Sequence, residues 1–276
     1  MNIEFYIENC YQISKLITKR YSTSFSLATS LLEKDIRRAI YAIYGFVRLA
    51  DEIVDSFQGY DKASLLNKLN EDLNYALENG ISTNTVLAAF SDAVKKFNIN
   101  IEYINAFMKS MEYDLTKSEY TNIDELDEYI YGSADVVGLM CLKVFCNGHN
   151  GLFEQLKHPA QKLGSAFQKV NFIRDLKDDI NGLGRSYFPD ISNTQFDRQS
   201  KKLIEHSIEI DFDEALDGIK HLPGRSRLAV AIAYYYYKDL FQKIKKQHPK
   251  EYLRKELEYP MQKNTSLLLK QYLCIN

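Results

Sequence analysis

Apolar residues recur at intervals of three and four along nearly the whole chain. That is the period of an α-helix with a buried face. Only five Pro and twelve Gly punctuate the 276 residues, which favours long helices over strands and hairpins. The period predicts helices over 4–20, 33–56, 61–78, 85–97, 101–117 and 123–145. Further helices are predicted over 159–180, 201–219, 226–246 and 261–273. Turn signals separate several of them: Asn79-Gly80, Asn147-Gly148, Asn181-Gly182 and Leu222-Pro223-Gly224. The stretch 182–196 combines Gly, Pro, Ser and Asn without a period, and reads as a loop or flap. No repeat, low-complexity tract or linker interrupts the pattern. The expectation is a single all-α domain spanning 1–276, built as a helical bundle around a central cavity.

Two of these helices are not simple amphipaths. In the second, Tyr41, Tyr44, Arg48, Asp51 and Asp55 follow three-four spacing, with Ala39, Ile43, Phe46, Val47, Ala50 and Val54 around them. In the helix before the flap, Gln168, Asn171, Asp175 and Asp179 do the same among Leu163, Phe167, Val170, Phe172, Ile173 and Leu176. Residues four apart stack on one face of a helix, so each stripe ends in two superposed carboxylates. Polar groups on a largely buried helix are costly unless something satisfies them. Two such rows facing each other would cage several Mg²⁺ ions and a diphosphate that those ions hold. Arg48 and Arg174, each a turn or less from the acids, are suited to diphosphate oxygens that the metals leave unneutralised.

Composition narrows the field. A formal charge of -2 and the lack of a dense basic tract exclude a nucleic-acid partner. Cys10, Cys141, Cys146 and Cys274 form no Cys-x-x-Cys pair, and no His stands at metal-ligand spacing from them. A disulfide-free, cytoplasmic protein is expected. The N-terminus shows no signal-peptide pattern, and no continuous apolar run reaches the roughly 18 residues that span a bilayer. Twenty Tyr and fifteen Phe offer aromatic faces for an apolar pocket. Gly182-Leu183-Gly184 is followed by no third glycine at dinucleotide-binding spacing, so NADPH is not expected.

Taken in order, these motifs resemble the squalene/phytoene synthase family, and bacterial phytoene synthases in particular. Tyr21 to Ala28 (Tyr-Ser-Thr-Ser-Phe-Ser-Leu-Ala) is similar to its N-terminal substrate-binding stretch, and Tyr44 to Asp55 to its first acidic motif. Tyr129 to Gly138 resembles its central Tyr/Gly segment. Gln168 to Asp179, followed by Gly184-Arg185-Ser186-Tyr187-Phe188-Pro189, resembles its second acidic motif and flap. Leu222 to Arg227 and the Tyr-rich helix after it resemble its C-terminal part. Glu52 stands where many relatives carry Asp, and Gly132-Ser133-Ala134-Asp135 replaces a small apolar run ending in Gly.

The resemblance implies an isoprenoid-synthase bundle that joins two identical prenyl diphosphates head to head. It implies Mg²⁺ on Asp51, Asp55, Asn171 and Asp175, with Asp179 supporting. Tyr21, Ser22, Thr23, Ser24, Tyr44, Arg48, Tyr129, Gln168, Arg174, Arg227 and Tyr236 would contact the substrates, and Tyr187 would seal or orient from the flap. Phe25, Tyr41, Tyr129 and Tyr236 are candidates to face an allylic cation. The reading favoured is two geranylgeranyl diphosphates giving phytoene. The alternatives are C30 products (dehydrosqualene, presqualene diphosphate or squalene) and, remotely, a non-catalytic scaffold. Greasy substrates suggest reversible contact with the inner membrane face, and downstream carotenoid enzymes are natural partners.

Overall fold

The computed structural model describes residues 2–189 and 198–248. The helix expected at 261–273, Cys274 and part of the flap lie outside the described residues. Eleven α-helices occur among those described: α1 (Ile3–Tyr21), α2 (Thr23–Ser30), α3 (Lys34–Asp55), α4 (Lys62–Asn79), α5 (Thr85–Phe97) and α6 (Ile101–Thr116) come first. Then follow α7 (Ile123–Ile130), α8 (Val136–Cys146), α9 (Asn150–Asp178), α10 (Arg198–Lys220) and α11 (Gly224–Lys245). The ends are set by ordinary chemistry. Asn2, Ser22, Asp61, Asn84 and Asn122 accept backbone N–H bonds at helix starts. Gly80, Asn98 and Asn147 take the left-handed conformation at helix ends.

The helices pack as two apolar bodies with a cavity between them. One gathers α1, α3, α4, α5, α6 and α8 around Phe46, whose ring stacks on Phe90 at 4.2 Å and meets Phe107 edge-on at 5.3 Å. The other gathers α7, α9, α10 and α11 around Phe172, Phe212, Tyr234 and Phe241. α9 is the spine, packed along α8 on one side and α10 on the other.

Four departures from the expected pattern have physical causes. The short α2 carries little periodicity in eight residues, yet Ser22 caps it firmly by accepting from the Phe25 N–H at 3.2 Å. α9 begins nine residues before Pro159, which sits inside it. An interior proline is expected to break a helix, but here its ring packs on α10 at Gly218. A Cβ at Gly218 would lie 2.3 Å from the Pro159 Cβ. The helix expected over 123–145 is interrupted by a π-helical turn, Tyr131–Asp135, and α9 continues past its end into a second, Asp179–Leu183. The second carries the helical path through Asn181-Gly182, so the chain reverses at Gly184 instead.

The first π turn joins α7 and α8 end to end. Ile123–Cys146 forms one helical run that is long and apolar enough, by length and composition, to cross a bilayer. It packs inside the bundle, however: α8 contributes Val136, Leu139, Met140 and Val144 to the core with no exposure.

Candidate active site: two acid rows at one end of an apolar cavity

A cavity of about 950 Å³ lies between the two bodies, at the upper end of the roughly 300–1,000 Å³ usual for ligand pockets. Its long walls are α3 and α9, and both change character along their length in the same sense. α3 presents Ile40, Ile43 and Val47, then Arg48, Asp51 and Asp55. α9 presents Leu156, Ala160, Leu163 and Phe167, then Gln168, Asn171, Asp175 and Asp179. The cavity therefore has an apolar end and an acidic end. α8 completes the apolar end with Val137, Cys141 and Phe145. It approaches α9 closely because Gly138 has no side chain: a Cβ there would lie 3.0 Å from the Ala160 carbonyl oxygen, and one at Gly164 would lie 2.9 Å from the Ala134 carbonyl oxygen of the preceding π turn.

The acidic end is built on two helix C-termini. Asp51 and Asp55 occupy the last turn or so of α3, and Asp175 and Asp179 the end of α9. Helix C-termini carry partial negative charge, so both dipoles add to the carboxylates and favour cations. Burial pushes the Asp51 carboxyl up to about 7, with Asp55 adding like-charge repulsion. Burial likewise pushes Asp179 up to about 7, with Asp175 as the neighbouring charge. A bound divalent ion would relieve both effects.

Among the described residues, no three His, Cys, Asp or Glu side chains stand close enough to hold one ion alone. Mg²⁺ usually takes one or two carboxylates and completes its shell with water and substrate phosphate. The donor set is all oxygen: four carboxylates and the Asn171 amide, whose Oδ1 accepts from the Tyr237 hydroxyl at 3.2 Å. These residues fit Mg²⁺ held jointly with a diphosphate.

Cationic and hydroxyl groups surround the same mouth. Arg48 pairs with Glu52 and lies 4.5 Å over the Tyr21 ring, while its buried Nε has no hydrogen-bond partner. An orphaned guanidinium N–H beside a cavity is a donor awaiting an anion. Arg174 forks onto Asp175, with Nε 2.7 Å from Oδ1. Ser22 and Ser24 hydroxyls stand 3.3 Å apart at the start of α2, and Phe25 stacks on Tyr44 at 5.0 Å. Gln168 Nε2 lies 3.5 Å from the Ser133 hydroxyl on the first π turn.

The flap root closes one side. Tyr187 stacks on Phe172 at 4.0 Å and on Tyr129 at 5.4 Å, and burial raises its hydroxyl pKa. The Tyr129 hydroxyl donates to Asp114 at 2.8 Å.

Seventeen of the side chains singled out from sequence line this one cavity, from Tyr21 to Tyr236. Two do not. Tyr41 is buried in the protein away from the cavity. At 100° per residue it stands roughly 80° around α3 from Asp51, and Ile40 takes the place assigned to it. Arg227, in the first turn of α11, lies outside the cavity wall.

Sequence reasoning missed Asp114, Tyr237 and the role of Arg185, all of which line the cavity. Asp114 carried a signal. It continues the apolar row Phe107–Met111 on α6 at three-four spacing, a carboxylate in a core position. Burial raises it to about 6, partly offset by Arg185.

The family model described as squalene/phytoene synthase matches residues 18–263. The chain is 30% identical over 246 residues to phytoene synthase 2 (chloroplastic) of Oryza sativa subsp. japonica, covering 83% of this chain and 61% of the rice protein. It thus spans about three-fifths of that relative's length. It is 26% identical over 261 residues to 4,4'-diapophytoene synthase of Staphylococcus haemolyticus (strain JCSC1435), covering 87% of this chain and 89% of that protein. A dehydrosqualene synthase crystal structure superposes with a TM-score of 0.86 at 24% identity, covering 98% of each chain. The squalene synthase HpnC from Alicyclobacillus acidocaldarius follows at 0.77 and 21% identity, covering 90% of this chain and 96% of that one.

Proposed function

The chain belongs to the squalene/phytoene synthase family, and from that premise we propose that it condenses two prenyl diphosphates head to head with Mg²⁺. The observation that carries this reading is the two-ended cavity: paired carboxylates from α3 and α9 at one end, aliphatic and aromatic walls at the other.

Each residue then has a physical task. Asp51, Asp55, Asn171, Asp175 and Asp179 would hold the metal–diphosphate group at the mouth. Mg²⁺ bound there would neutralise the charge that builds on diphosphate as the allylic C–O bond breaks. Arg48 and Arg174 would donate to the remaining diphosphate oxygens, with Ser22, Thr23 and Ser24 supplying neutral donors. The apolar walls keep water from the carbocation. Tyr129, Phe25 and Tyr236 line the cavity, and their rings would stabilise the carbocation. The double bond of the second prenyl diphosphate attacks the cation, and loss of a proton from the carbon that bears its diphosphate closes the ring of a cyclopropylcarbinyl diphosphate. Renewed ionisation, rearrangement and proton loss then give a hydrocarbon without a reductant.

Within this class we favour two geranylgeranyl diphosphates and phytoene, with no use of NADPH. The plant phytoene synthases support it at 30% identity. The second reading is the C30 reaction on farnesyl diphosphate, supported by the diapophytoene synthase relative. The greasy substrates also argue for reversible contact with a membrane surface. The test is incubation of the protein with Mg²⁺ and either the C15 or the C20 prenyl diphosphate, with and without NADPH, followed by mass spectrometry of the extracted hydrocarbon. A C40 triene from the C20 substrate, formed without NADPH, supports the favoured reading. A C30 product alone replaces it with the second, and no coupled product from either substrate rejects both.

A further inference from the structure

Arg185 is 7% exposed at the root of the flap, yet it reaches two other elements. Its Nη1 donates to Asp55 Oδ1 on α3 at 2.8 Å and lies 3.5 Å from Asp114 Oδ1 on α6. Its Nη2 donates to the Asp114 carbonyl at 2.8 Å. The backbone is tied down on both sides: the Arg185 N–H donates to the Asp179 carbonyl and the Ser186 N–H to the Ser118 carbonyl, each at 2.8 Å. One guanidinium therefore joins the acid row of α3 to the segment that leaves the acid row of α9.

The contacts are unequal. Asp114, 5% exposed, accepts from Arg185 through its carbonyl and sets its carboxylate 3.5 Å away, whereas Asp55, 40% exposed, meets it through one carboxylate oxygen alone. Five carboxylates crowd this mouth: Asp51, Asp55, Asp114, Asp175 and Asp179. Arg48 and Arg174 are held by acids of their own helices. Breaking a buried ion pair is costly unless each charge gains a new partner.

We infer that Arg185 is an exchangeable counter-cation: it holds Asp55 while the mouth is free of metal and yields it to the metal ion when a diphosphate arrives. Asp114 anchors the guanidinium throughout, and the freed Nη1 donates to a diphosphate oxygen. The inference rests on the metal–diphosphate reading above and deepens it. Arg185 would thereby couple metal binding to substrate binding, since the acid is released only where an anion can take its place.

The test is Mn²⁺ binding to the full chain by electron paramagnetic resonance, for Mn²⁺ alone and for Mn²⁺ with inorganic pyrophosphate. Arg185→Gln should bind Mn²⁺ alone several-fold more tightly than wild type. Its affinity for pyrophosphate at saturating Mn²⁺ should fall about ten-fold or more, the loss of one charge-assisted hydrogen bond. A strut of purely structural role would not move the two affinities in opposite directions. Equal shifts, or none, overturn the inference while leaving the metal site intact. If wild type binds neither Mn²⁺ nor its pyrophosphate complex, the metal reading falls and this inference with it. Should Arg185→Gln not fold, Arg185→Lys carries the test: it should weaken pyrophosphate binding without weakening Mn²⁺ binding, and a loss of both overturns the inference.

Discussion

At the scale of single residues, the proposed function turns on carboxylates whose neighbours decide their charge. Asp51→Ala or Asp175→Ala should lower turnover at least about a hundredfold, because the developing diphosphate charge loses its counter-ion. The thermal transition of each variant should stay near that of wild type; turnover close to wild type would remove these residues from the site. Asp135 gives a separate prediction. It is buried on the first π turn, accepts from the Ser165 hydroxyl at 2.9 Å, and burial lifts it to about 7. A folded carboxyl with a raised pKa binds its proton more tightly than the unfolded chain does. Its favourable contribution is thus full below about pH 4 and is lost as pH rises through about 7. Asp135→Asn should accordingly raise Tm relative to wild type more at pH 8 than at pH 5, as measured by calorimetry; an equal difference at both would refute this. Both acid rows were legible from spacing alone, because a polar stripe along an otherwise apolar helix must face something polar. The Arg185–Asp55 contact was not, since it joins residues 130 apart in the chain.

At the scale of elements, the helices with strong periodicity were predicted to within a few residues. Thr85–Phe97 was matched at both ends. The failures share a cause: tertiary packing overrode a local rule. Pro159 should have started a helix, but α10 offers a glycine to receive its ring. Gly218→Ala should therefore destabilise the protein by about 1–3 kcal/mol, as overpacking does. Urea denaturation would show it as a lower midpoint with an unchanged slope. No change in midpoint would mean that α9 and α10 can separate without cost. The two π turns were invisible in the sequence because apolar spacing of three and four survives one inserted residue. Both flank the cavity, where they place Ser133, Ala134 and Asp179 in its wall.

At the scale of the whole molecule, two apolar bodies meet where α8 packs on α9, and between α3 and α9 they leave a cavity polarised from end to end. In the proposed reaction, the chain length of the product is then a question of the apolar end, lined by Cys141 and Phe145 of α8 and Leu156 and Ala160 of α9. Cys141→Phe fills part of that end. It should raise the ratio of C15 to C20 prenyl diphosphate turnover several-fold, read by competition between the two substrates; an unchanged ratio would place the chains elsewhere. The fold class and the one-cavity grouping of the site were foreseeable from the order of motifs. The depth of the cavity was not, because it depends on how closely α8, α9 and α10 approach one another. The most direct test is a crystal structure with Mn²⁺ and an unreactive prenyl thiodiphosphate, using anomalous scattering to find the metal. Mn²⁺ is expected between the Asp51/Asp55 and Asp175/Asp179 rows, with the prenyl chain running toward Cys141. Metal peaks away from both rows, or a chain lying outside the cavity, would contradict a metal–diphosphate mouth on an apolar tunnel.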